Sequence, residues 1–316
     1  MAGNSPPLIL GVDAAGIAEA ARRLRAGALV AVPTETVYGL AARADSADAV
    51  AAIYRAKGRP DFNPLIVHIA DVKAAEALAE LDDRARALAA AFWPGALTMV
   101  LPRRADAALA AAVTAGLPSV ALRCPAHPAM RALLAASGLQ LAAPSANRSG
   151  GVSPTSAAHV AASLGAKVDA IIDGGPCDQG IESTIVALRS NGSWQVLRPG
   201  PISEAQISAI LGHSHDVMAA SSTIEAPGQL ASHYAPGKPV RLGAEVAAAD
   251  EFHIGFGAVA GDISLSPSGD LVEAAARLYD CLHRAAADPR RRIAVASVPD
   301  TGIGAAINDR LHRAAV

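Results

Sequence analysis

Apolar and polar positions in the first sixty residues alternate between a helical and a strand-like spacing. Residues 14–26 repeat apolar side chains every three to four positions, which predicts a helix, and Gly27 is placed to end it. The short apolar run ALVAVP at 28–33 is typical of a buried strand. Asp45 and Ser46 are good N-caps for a second helix, so a helix, strand, helix order is predicted here.

The same two spacings continue to residue 212. Strands are predicted at 65–70, 97–102, 119–123, 170–173, 184–188 and 194–198. Helices are predicted at 46–57, from the end of the 65–70 strand to about residue 91, and at 128–136, 155–163 and 203–211. Because the strands are spaced too irregularly for a simple doubly wound order, we predict an α/β fold with a twisted mixed sheet.

Residues 213–238 follow neither pattern and are rich in His, Ser, Pro and Gly, which predicts a linker. Beyond them, strands near 240–242, 252–256 and 293–298 flank one long helix at 270–287. The predicted organisation is an α/β domain at 1–212, a linker at 213–238 and a small Rossmann-like α/β domain at 239–316.

Composition excludes disorder and a membrane-spanning chain. Hydrophobic residues make up 52% of the sequence, much of it alanine, and charged residues 18%. The most apolar stretch, 88–102, is interrupted by Trp93-Pro94-Gly95 and is too short to span a bilayer. The first ten residues have no basic segment before an apolar run, so we expect no signal peptide and a cytoplasmic location.

The spacing of the cysteines and the net charge exclude further classes of protein. The three cysteines, Cys124, Cys177 and Cys281, are far apart and predict neither a disulfide framework nor a zinc site. The net charge is −2, with 19 basic and 19 acidic residues up to Lys238 and 8 and 10 beyond it. Neither part has the cationic excess of a nucleic-acid-binding protein, but a local basic cleft for a small anion stays possible.

Four polar stretches adjoin the ends of predicted strands, where open α/β sheets place their ligand sites. They are PTETVYGL (33–40), KGRPDFNPLIVH (57–68), APSANRSGGVSPT (143–155) and GGPCDQGIESTIV (174–186). Together they supply hydroxyls, turn N–H groups and cations, which suit a phosphate-bearing ligand. The sequence has no GxxxxGK[ST], no GxSxG elbow, no HExxH and no GxGxxG at the first strand–helix turn, so the common nucleotide and hydrolase motifs are excluded.

These stretches, in this order, resemble the Sua5/YrdC family. SVALRCP (119–125) and ESTIV (182–186) extend the resemblance over nearly all of residues 20–212. APGQLASHYAP (226–236) resembles the His-Tyr-Ala-Pro segment of two-domain Sua5 proteins, and GIGAAINDRLHRAA (302–315) is similar to the end of their C-terminal domain. Family members more often carry a basic residue or Met just before the His-Tyr pair, which leaves direct tRNA binding undecided.

The resemblance implies a YrdC-like fold and a reaction. L-threonine and bicarbonate would form N-carboxy-threonine, whose carboxylate attacks the α-phosphate of ATP. Pyrophosphate would leave, and threonylcarbamoyl-AMP would pass to a tRNA-modifying transferase complex that acts on adenosine 37. Mg²⁺ would accompany ATP, held mostly by phosphates and water. Such nucleotidyl transfer needs positioning and charge neutralisation more than a side-chain nucleophile.

The resemblance also implies catalytic residues. Lys57 and Arg59 would offset the charge of the triphosphate and of the leaving pyrophosphate. His68 would lie near the threonine nitrogen, with a role as base left open. The residues alone favour a simpler interpretation, in which the two cations are solvated helix-end groups that complement the dipole and His68 is a structural histidine of the core.

Substrate contacts follow in the same way. Threonine would contact Thr36, His68, Arg123, Ala143 and Ser183. ATP would contact Lys57, Arg59, Asn63, Ser119, Ser145, Asn147, Ser153, Arg198 and Tyr234. The residue types alone leave simpler roles open: Arg123 in a salt bridge at a sheet edge, Ser153 as a helix cap, and Tyr234 as a packing anchor of the linker. No metal ligand is predicted.

Three other functions compete with this one. A non-enzymatic RNA-binding module would need a basic excess and aromatic stacking positions, whereas the chain has balanced charge and 3% aromatics. A carbamoyl transferase of the hydrogenase-maturation type would carry acylphosphatase-like and zinc-finger segments, which this sequence lacks. A YciO-type protein would lack the linker and the second domain.

Overall fold

The computed structural model describes residues 6–212, 225–229 and 233–316 of the 316-residue chain. Part of the predicted linker, 213–224 and 230–232, therefore lies outside the described residues. Within the described ranges, no helix combines the length and the apolar character needed to cross a bilayer.

Ten short strands of the described ranges form the larger sheet. They are β1 (Leu8–Leu10), β2 (Val30–Val32), β3 (Gly39–Arg43), β4 (Ile66–His68), β5 (Leu97–Pro102), β6 (Ser119–Arg123), β7 (Leu141–Ala142), β8 (Ala170–Ile172), β9 (Thr184–Leu188) and β10 (Trp194–Arg198). Their order across the sheet is β1-β8-β2-β3-β7-β4-β6-β5-β9-β10. Parallel pairs such as β4–β6 lie beside antiparallel pairs such as β4–β7, so the predicted mixed sheet is confirmed.

Eight helices among the described residues accompany this sheet. They are α1 (Ala14–Arg25), α2 (Ala47–Lys57), α3 (Val72–Glu76), α4 (Asp83–Phe92), α5 (Ala111–Thr114), α6 (Pro128–Ser137), α7 (Ala157–Leu164) and α8 (Glu204–Leu211). The predicted cap Ser46 begins α2, since its side chain accepts a hydrogen bond from the Ala49 N–H at 3.3 Å.

Small aliphatic side chains fill the layers on both faces of the sheet. In β2, Ala31 belongs to the core on one face, while Val30 and Val32 belong to the core on the other. This alternation follows from the two-residue period of a strand. Because both faces are covered by helices, β2 is apolar throughout, as its sequence indicates.

The single helix predicted after β4 is wrong, because two helices occupy that region. The chain between α3 and α4 runs beside the end of β5, where the Glu80 N–H donates to the Pro102 carbonyl at 2.9 Å. Asp82 then caps α4 by accepting from the Ala85 N–H at 2.9 Å. Strands β1, β3 and β7 and helix α5, each of five residues or fewer, were not predicted.

A second sheet follows from residue 240. Its strands are β11 (Val240–Leu242), β12 (Glu251–Gly255), β13 (Ile263–Ser264) and β14 (Arg292–Val295), and its helices are α9 (Leu271–Ala287) and α10 (Gly304–Ala314). All strand pairs are parallel, in the order β11-β14-β12-β13, as expected of a Rossmann-like unit. We call residues 239–316 the C-terminal unit; β13 and α10 were not predicted.

The C-terminal unit packs directly on loops of the larger sheet. Its core, which includes Leu278 of α9, is continuous with Val37, Val152 and Ile181 from three of the polar stretches. At Gly180, a Cβ atom would lie 2.4 Å from the Cα of Ala276 in α9, so only glycine permits this close approach. The polar stretches therefore meet at the contact between the two sheets.

Candidate active site

One pocket lies where the polar stretches meet the C-terminal unit. It has a volume of ≈ 520 Å³, including the space at its mouth. Strands β4, β6 and β10 and the loops after β2, α2 and β7 contribute to its walls. The predicted site residues that line it are Arg59, His68, Arg123, Ala143, Ser145, Arg198 and Tyr234.

Arg59 enters the pocket because helix α2 ends two residues earlier, at Lys57. Gly58 adopts the left-handed conformation (φ 61°) that ends a helix, and the chain turns inward after it. The Arg59 guanidinium donates to the side-chain oxygen of Asn63 at 2.6 Å and to the Pro64 carbonyl at 2.8 Å. Burial lowers the pKa of Arg59 to about 10, so the group stays positive at neutral pH. Asn63 thus positions Arg59.

Lys57 lies behind the pocket wall rather than on its surface. Its Nζ donates to the carbonyls of Ser145 and Asn147, both at 2.6 Å. Burial, and then the nearby Arg59, lowers the pKa of Lys57 well below its usual value. The amide of Asn147 closes the same turn by donating to the Gly151 carbonyl at 2.7 Å. Lys57 and Asn147 therefore shape the turn that presents Ser145 to the pocket.

Arg123 forms a buried salt bridge with Glu35. Its Nη2 lies 2.7 Å from Glu35 Oε1, and the other carboxylate oxygen accepts from the N–H groups of Ala126 and His127. Burial raises the pKa of Glu35, but the charge of Arg123 outweighs it and the net pKa is about 2. The salt bridge considered from sequence is present, and Arg123 faces the pocket as well.

His68 is the buried histidine that ends β4. Parallel pairing of β4 with β6 places it opposite Arg123. Burial, reinforced by the charge of Arg123, lowers the pKa of His68 to about 3, so its imidazole is neutral. Its Nδ1 is buried without a hydrogen-bond partner among the described residues. A polar atom in this state costs stability unless something bound in the pocket satisfies it.

Thr36 lies one hydrogen bond from the pocket. Its hydroxyl is 2.8 Å from the hydroxyl of Thr34, which lines the pocket and was not predicted. Ala143 lies across from Gly39, where a Cβ atom would come within 3.2 Å of the Ala143 methyl group. The first polar stretch and the turn after β7 are therefore in direct contact.

Ser183 and Arg198 are held together beside this wall. Arg198 donates to the Ser183 carbonyl at 3.1 Å and to its hydroxyl at 3.2 Å. The Ser183 hydroxyl also lies 2.8 Å from that of Thr98. At Gly228 (φ 89°), a Cβ atom would lie 2.8 Å from the Arg198 Cδ, so glycine lets the segment before Tyr234 cover the arginine.

Tyr234 closes one side of the pocket in a strained conformation. Its φ of 63° is left-handed, which costs on the order of 1 kcal/mol for a residue other than glycine. The ring is buried and lies 5.6 Å, centre to centre, from that of Tyr279 in α9. The adjacent His233, which was not predicted as a site residue, also lines the pocket, with a buried Nδ1 that has no partner among the described residues.

Glu182 is the second acidic residue of the site, and it was not predicted either. One of its oxygens accepts from the Ser153 hydroxyl at 2.5 Å and the other from the Tyr279 hydroxyl at 2.7 Å. Ser153 thus contacts a wall residue rather than the pocket itself. Glu182 lies in ESTIV and His233 in His-Tyr-Ala-Pro, two of the stretches that resemble the Sua5/YrdC family. Their position in those stretches is the feature of the sequence that could have predicted them as site residues.

Ser119 is the predicted nucleotide residue that the structure does not bring to this pocket. It begins β6, whereas Arg123 ends the same strand, and it pairs with Pro102 of β5. A strand rises about 3.3 Å per residue, so roughly 13 Å separates the two along β6. The remaining predicted residues line the pocket or hydrogen-bond to residues that do.

Comparisons with known proteins agree along the whole chain. The profile of the Sua5/YciO/YrdC family, described as "Telomere recombination", matches residues 22–200, and a profile described as "Threonylcarbamoyl-AMP synthase, C-terminal domain" matches residues 202–316. The chain is 43% identical to a threonylcarbamoyl-AMP synthase of Bacillus subtilis (strain 168), an alignment that covers 95% of this chain and 92% of that one. It is 46% identical to a threonylcarbamoyl-AMP synthase of Pyrococcus abyssi (strain GE5 / Orsay) over 70% of this chain and 66% of that one.

Solved structures show the same relationship. The crystal structure of P. abyssi Sua5 complexed with L-threonine superposes with a TM-score of 0.88 at 36% identity, covering 98% of this chain and 97% of that one. E. coli YciO, with a TM-score of 0.52 and 21% identity over 61% of this chain and 94% of its own, shares the fold of the larger sheet. Both parts of the sequence and the complete architecture thus match one group of proteins, and the chain belongs to the Sua5/YciO/YrdC family.

Proposed function

We propose that this protein is an L-threonylcarbamoyladenylate synthase. It would form threonylcarbamoyl-AMP and pyrophosphate from L-threonine, bicarbonate and ATP. One observation carries the proposal beyond family membership: three buried arginines, Arg59, Arg123 and Arg198, meet the unpartnered neutral His68 in a single pocket. The named relatives and the threonine complex of P. abyssi Sua5 support the same activity.

ATP would bind on the Arg59 and Arg198 side of the pocket. Both guanidiniums are held by neighbouring oxygens, so they can meet a phosphate without losing much conformational freedom. Ser145 would add a hydroxyl on the same wall. Lys57, Asn63, Asn147 and Ser153 would act by fixing the residues that touch the nucleotide, and Tyr234 would cover it.

L-threonine would bind near Arg123 and His68. The Nη2 of Arg123 donates to Glu35. Its Nη1 makes no hydrogen bond in the described part of the chain, so this nitrogen can donate to a carboxylate of the substrate. The Nδ1 of His68 can pair with the threonine nitrogen, since a neutral imidazole nitrogen accepts or donates according to tautomer. Ala143 would leave room for the side chain, and Thr36 and Ser183 would support this end of the pocket.

The chemical step then needs no side-chain nucleophile. A carboxylate oxygen of N-carboxy-threonine forms the new bond to the α-phosphorus, and the bond between that phosphorus and the bridging oxygen of pyrophosphate breaks. Negative charge builds on the leaving pyrophosphate, where Arg59 and Arg198 can offset it. The arginines and the turn amides are already in place, so little reorganisation is needed during the reaction.

Mg²⁺ would arrive with ATP instead of occupying a protein cage. The described residues contain no group of three or more His, Cys, Asp or Glu side chains arranged to hold a metal ion. Glu182 lines the pocket, but both its oxygens already accept hydrogen bonds.

The product would be consumed by a tRNA-modifying transferase, because a mixed carbamic–phosphoric anhydride is an activated acyl donor. We place this reaction in the cytoplasm, where ATP and tRNA are both present. A direct tRNA-binding role finds no support in the charge distribution, since the chain carries a net charge of −2.

Pyrophosphate release tests the proposed function. With ATP, bicarbonate and L-threonine the protein should release pyrophosphate and form a product with the mass of threonylcarbamoyl-AMP. Omitting threonine should abolish release, and serine, which lacks one methyl group, should react roughly tenfold more slowly or worse. Release that is independent of threonine would reject the proposal.

A further inference from the structure

The C-terminal unit sends a fully buried arginine to the back of the pocket. Arg310 of α10 is 0% exposed, and its Nε lies 3.2 Å from Glu182 Oε2. Its Nη1 donates to the Pro199 carbonyl at 2.6 Å and to Asp309 at 2.9 Å. A buried guanidinium is costly unless its donors are paired, so this group is committed to the pocket wall.

Its partner Glu182 is buried and ionised. Burial raises the pKa of this carboxyl, but the charges of Arg310 and then of Arg198 outweigh it and bring the pKa to about 2. The hydroxyls of Ser153 and Tyr279 satisfy the same carboxylate. Glu182 therefore presents a negative charge on the wall of a pocket that otherwise offers Arg59, Arg123 and Arg198.

A bare carboxylate on this wall would oppose the binding of a polyanion. Charges in a poorly solvated site act over longer distances than in water, so Glu182 would repel the phosphates that Arg59 and Arg198 attract. The salt bridge from Arg310, which comes from outside the pocket lining, offsets this charge. The contact spans 128 residues of sequence and joins the two sheets.

We propose that Arg310 is a positioning residue for the triphosphate, which it serves by neutralising Glu182 across the contact between the C-terminal unit and the larger sheet. The proposal rests on the proposed function, because it assumes that the pocket binds ATP. It assigns the C-terminal unit an electrostatic part in nucleotide affinity. The effect is selective: threonine is a zwitterion with no net charge, so an uncompensated Glu182 repels it far less than it repels a triphosphate.

The experiment is a double-mutant cycle that removes each charge in turn and is read by binding alone. We would measure the dissociation constants of α,β-methylene-ATP, inorganic triphosphate and L-threonine by calorimetry for the full-length wild type, Arg310→Met, Glu182→Gln and the double variant. Arg277→Met, a half-exposed arginine of α9 paired with Glu273, is the matched control. The thermal unfolding midpoint of each variant is recorded alongside.

Arg310→Met should weaken both triphosphate ligands about tenfold or more and threonine by no more than about twofold. The double variant should bind triphosphate within about threefold of the wild type, since neither position 182 nor position 310 then carries a charge. Arg277→Met should bind all three ligands like the wild type.

Three results would overturn the proposal: unchanged triphosphate binding in Arg310→Met, equal weakening of threonine and triphosphate, or no recovery in the double variant. Equal weakening of triphosphate and threonine binding would indicate a purely structural role, because a displaced Glu182 would also move Ser183, the next residue, at the threonine end of the pocket. If Arg310→Met does not fold, Glu182→Gln decides, since it must bind triphosphate at least as tightly as the wild type. A wild type that binds triphosphate but releases no pyrophosphate with threonine would reject the proposed function and leave this inference standing.

Discussion

Each arginine of the pocket owes its position to a different local partner. Arg59 is held by Asn63, Arg198 by Ser183, and Arg123 by Glu35. Because the guanidinium is planar and its donors are fixed in direction, these partners also decide which donors remain for a ligand. A lysine could carry the charge at any of the three positions but could not make both sets of contacts.

Arg59→Lys should therefore fail nearly as badly as Arg59→Met. We expect threonine-dependent pyrophosphate release to fall by about 100-fold or more in both variants, because charge on the leaving group is no longer offset in the right place. Arg55→Met, an exposed arginine of α2, is the control and should keep wild-type turnover. Near-normal activity of Arg59→Lys would show that charge alone is sufficient.

His68 should make the protein sensitive to acid. Its pKa is lowered to about 3 in the folded state, against 6.5 in the unfolded chain. Between these values the unfolded state binds more protons, so the stability that His68 contributes is complete above pH 6.5 and is lost as pH falls toward 3. Relative to the wild type, His68→Asn should flatten the decrease in unfolding free energy by about 1.4 kcal/mol per pH unit near pH 5.

Urea unfolding at pH 7, 6 and 5 measures this slope. Other buried histidines, among them His233, have lowered pKa values too, so the wild-type slope should exceed that of one proton. The same substitution at an exposed histidine of α10, His312→Asn, is the matched control. Identical slopes for the wild type and His68→Asn would mean that His68 is protonated in the folded protein.

At the scale of elements, glycines decide how closely the site loops approach their neighbours. Gly58 ends α2 and separates Lys57, behind the wall, from Arg59, in the pocket. Gly180 lets the loop before β9 touch the backbone of α9, and Gly228 lets the segment before Tyr234 cover Arg198. Each has a positive φ, so an L-residue is disfavoured at all three positions.

Gly180→Ala should loosen the contact with α9. Its Cβ atom would meet the Ala275 carbonyl oxygen at 2.5 Å, and overpacking of this kind costs about 1–3 kcal/mol in addition to the positive φ. Gly192→Ala has a similar φ of 92° and no heavy atom within 4 Å of the new Cβ, so it isolates the backbone cost. Denaturant unfolding of both variants should show the larger loss at Gly180; equal losses would contradict the clash.

At the scale of the whole molecule, the two sheets share buried charge and a continuous core. Glu182 and Arg310 pair between them, and the stacked rings of His159 and His283 lie 3.9 Å apart, centre to centre, at the same contact. Separating the sheets would break this ion pair and expose the apolar core that the two sheets share. The large sheet is therefore stabilised by the C-terminal unit.

We expect the protein to unfold in one cooperative thermal transition. Scanning calorimetry should give a calorimetric enthalpy equal to the van't Hoff enthalpy, as for a two-state protein. The Glu182→Gln/Arg310→Met variant keeps the shared apolar core and should also show a single transition. Two resolved transitions in the wild type would indicate that the sheets unfold independently.

The sequence alone determined the features of the fold that depend on residues close together along the chain. The spacing of apolar residues predicted most helices and strands, and the four polar stretches at strand ends contain ten of the sixteen residues that line the pocket. Glycine, proline and helix caps affect only the few residues around them, so the turns and helix ends that they cause can be predicted without a structure. The family resemblance added that these stretches contribute to one substrate site.

Tertiary structure decided which way each of these residues faces and what it is paired with. Lys57 and Arg59 are two positions apart, yet Lys57 fixes a turn behind the wall and Arg59 faces the pocket. Ser119 was predicted as a site residue only from the family resemblance, and it lies away from the pocket. The pairing of Glu182 with Arg310 joins positions 128 residues apart, which no local spacing can indicate. Buried charges choose partners by distance and desolvation, and both quantities exist only once the chain has folded.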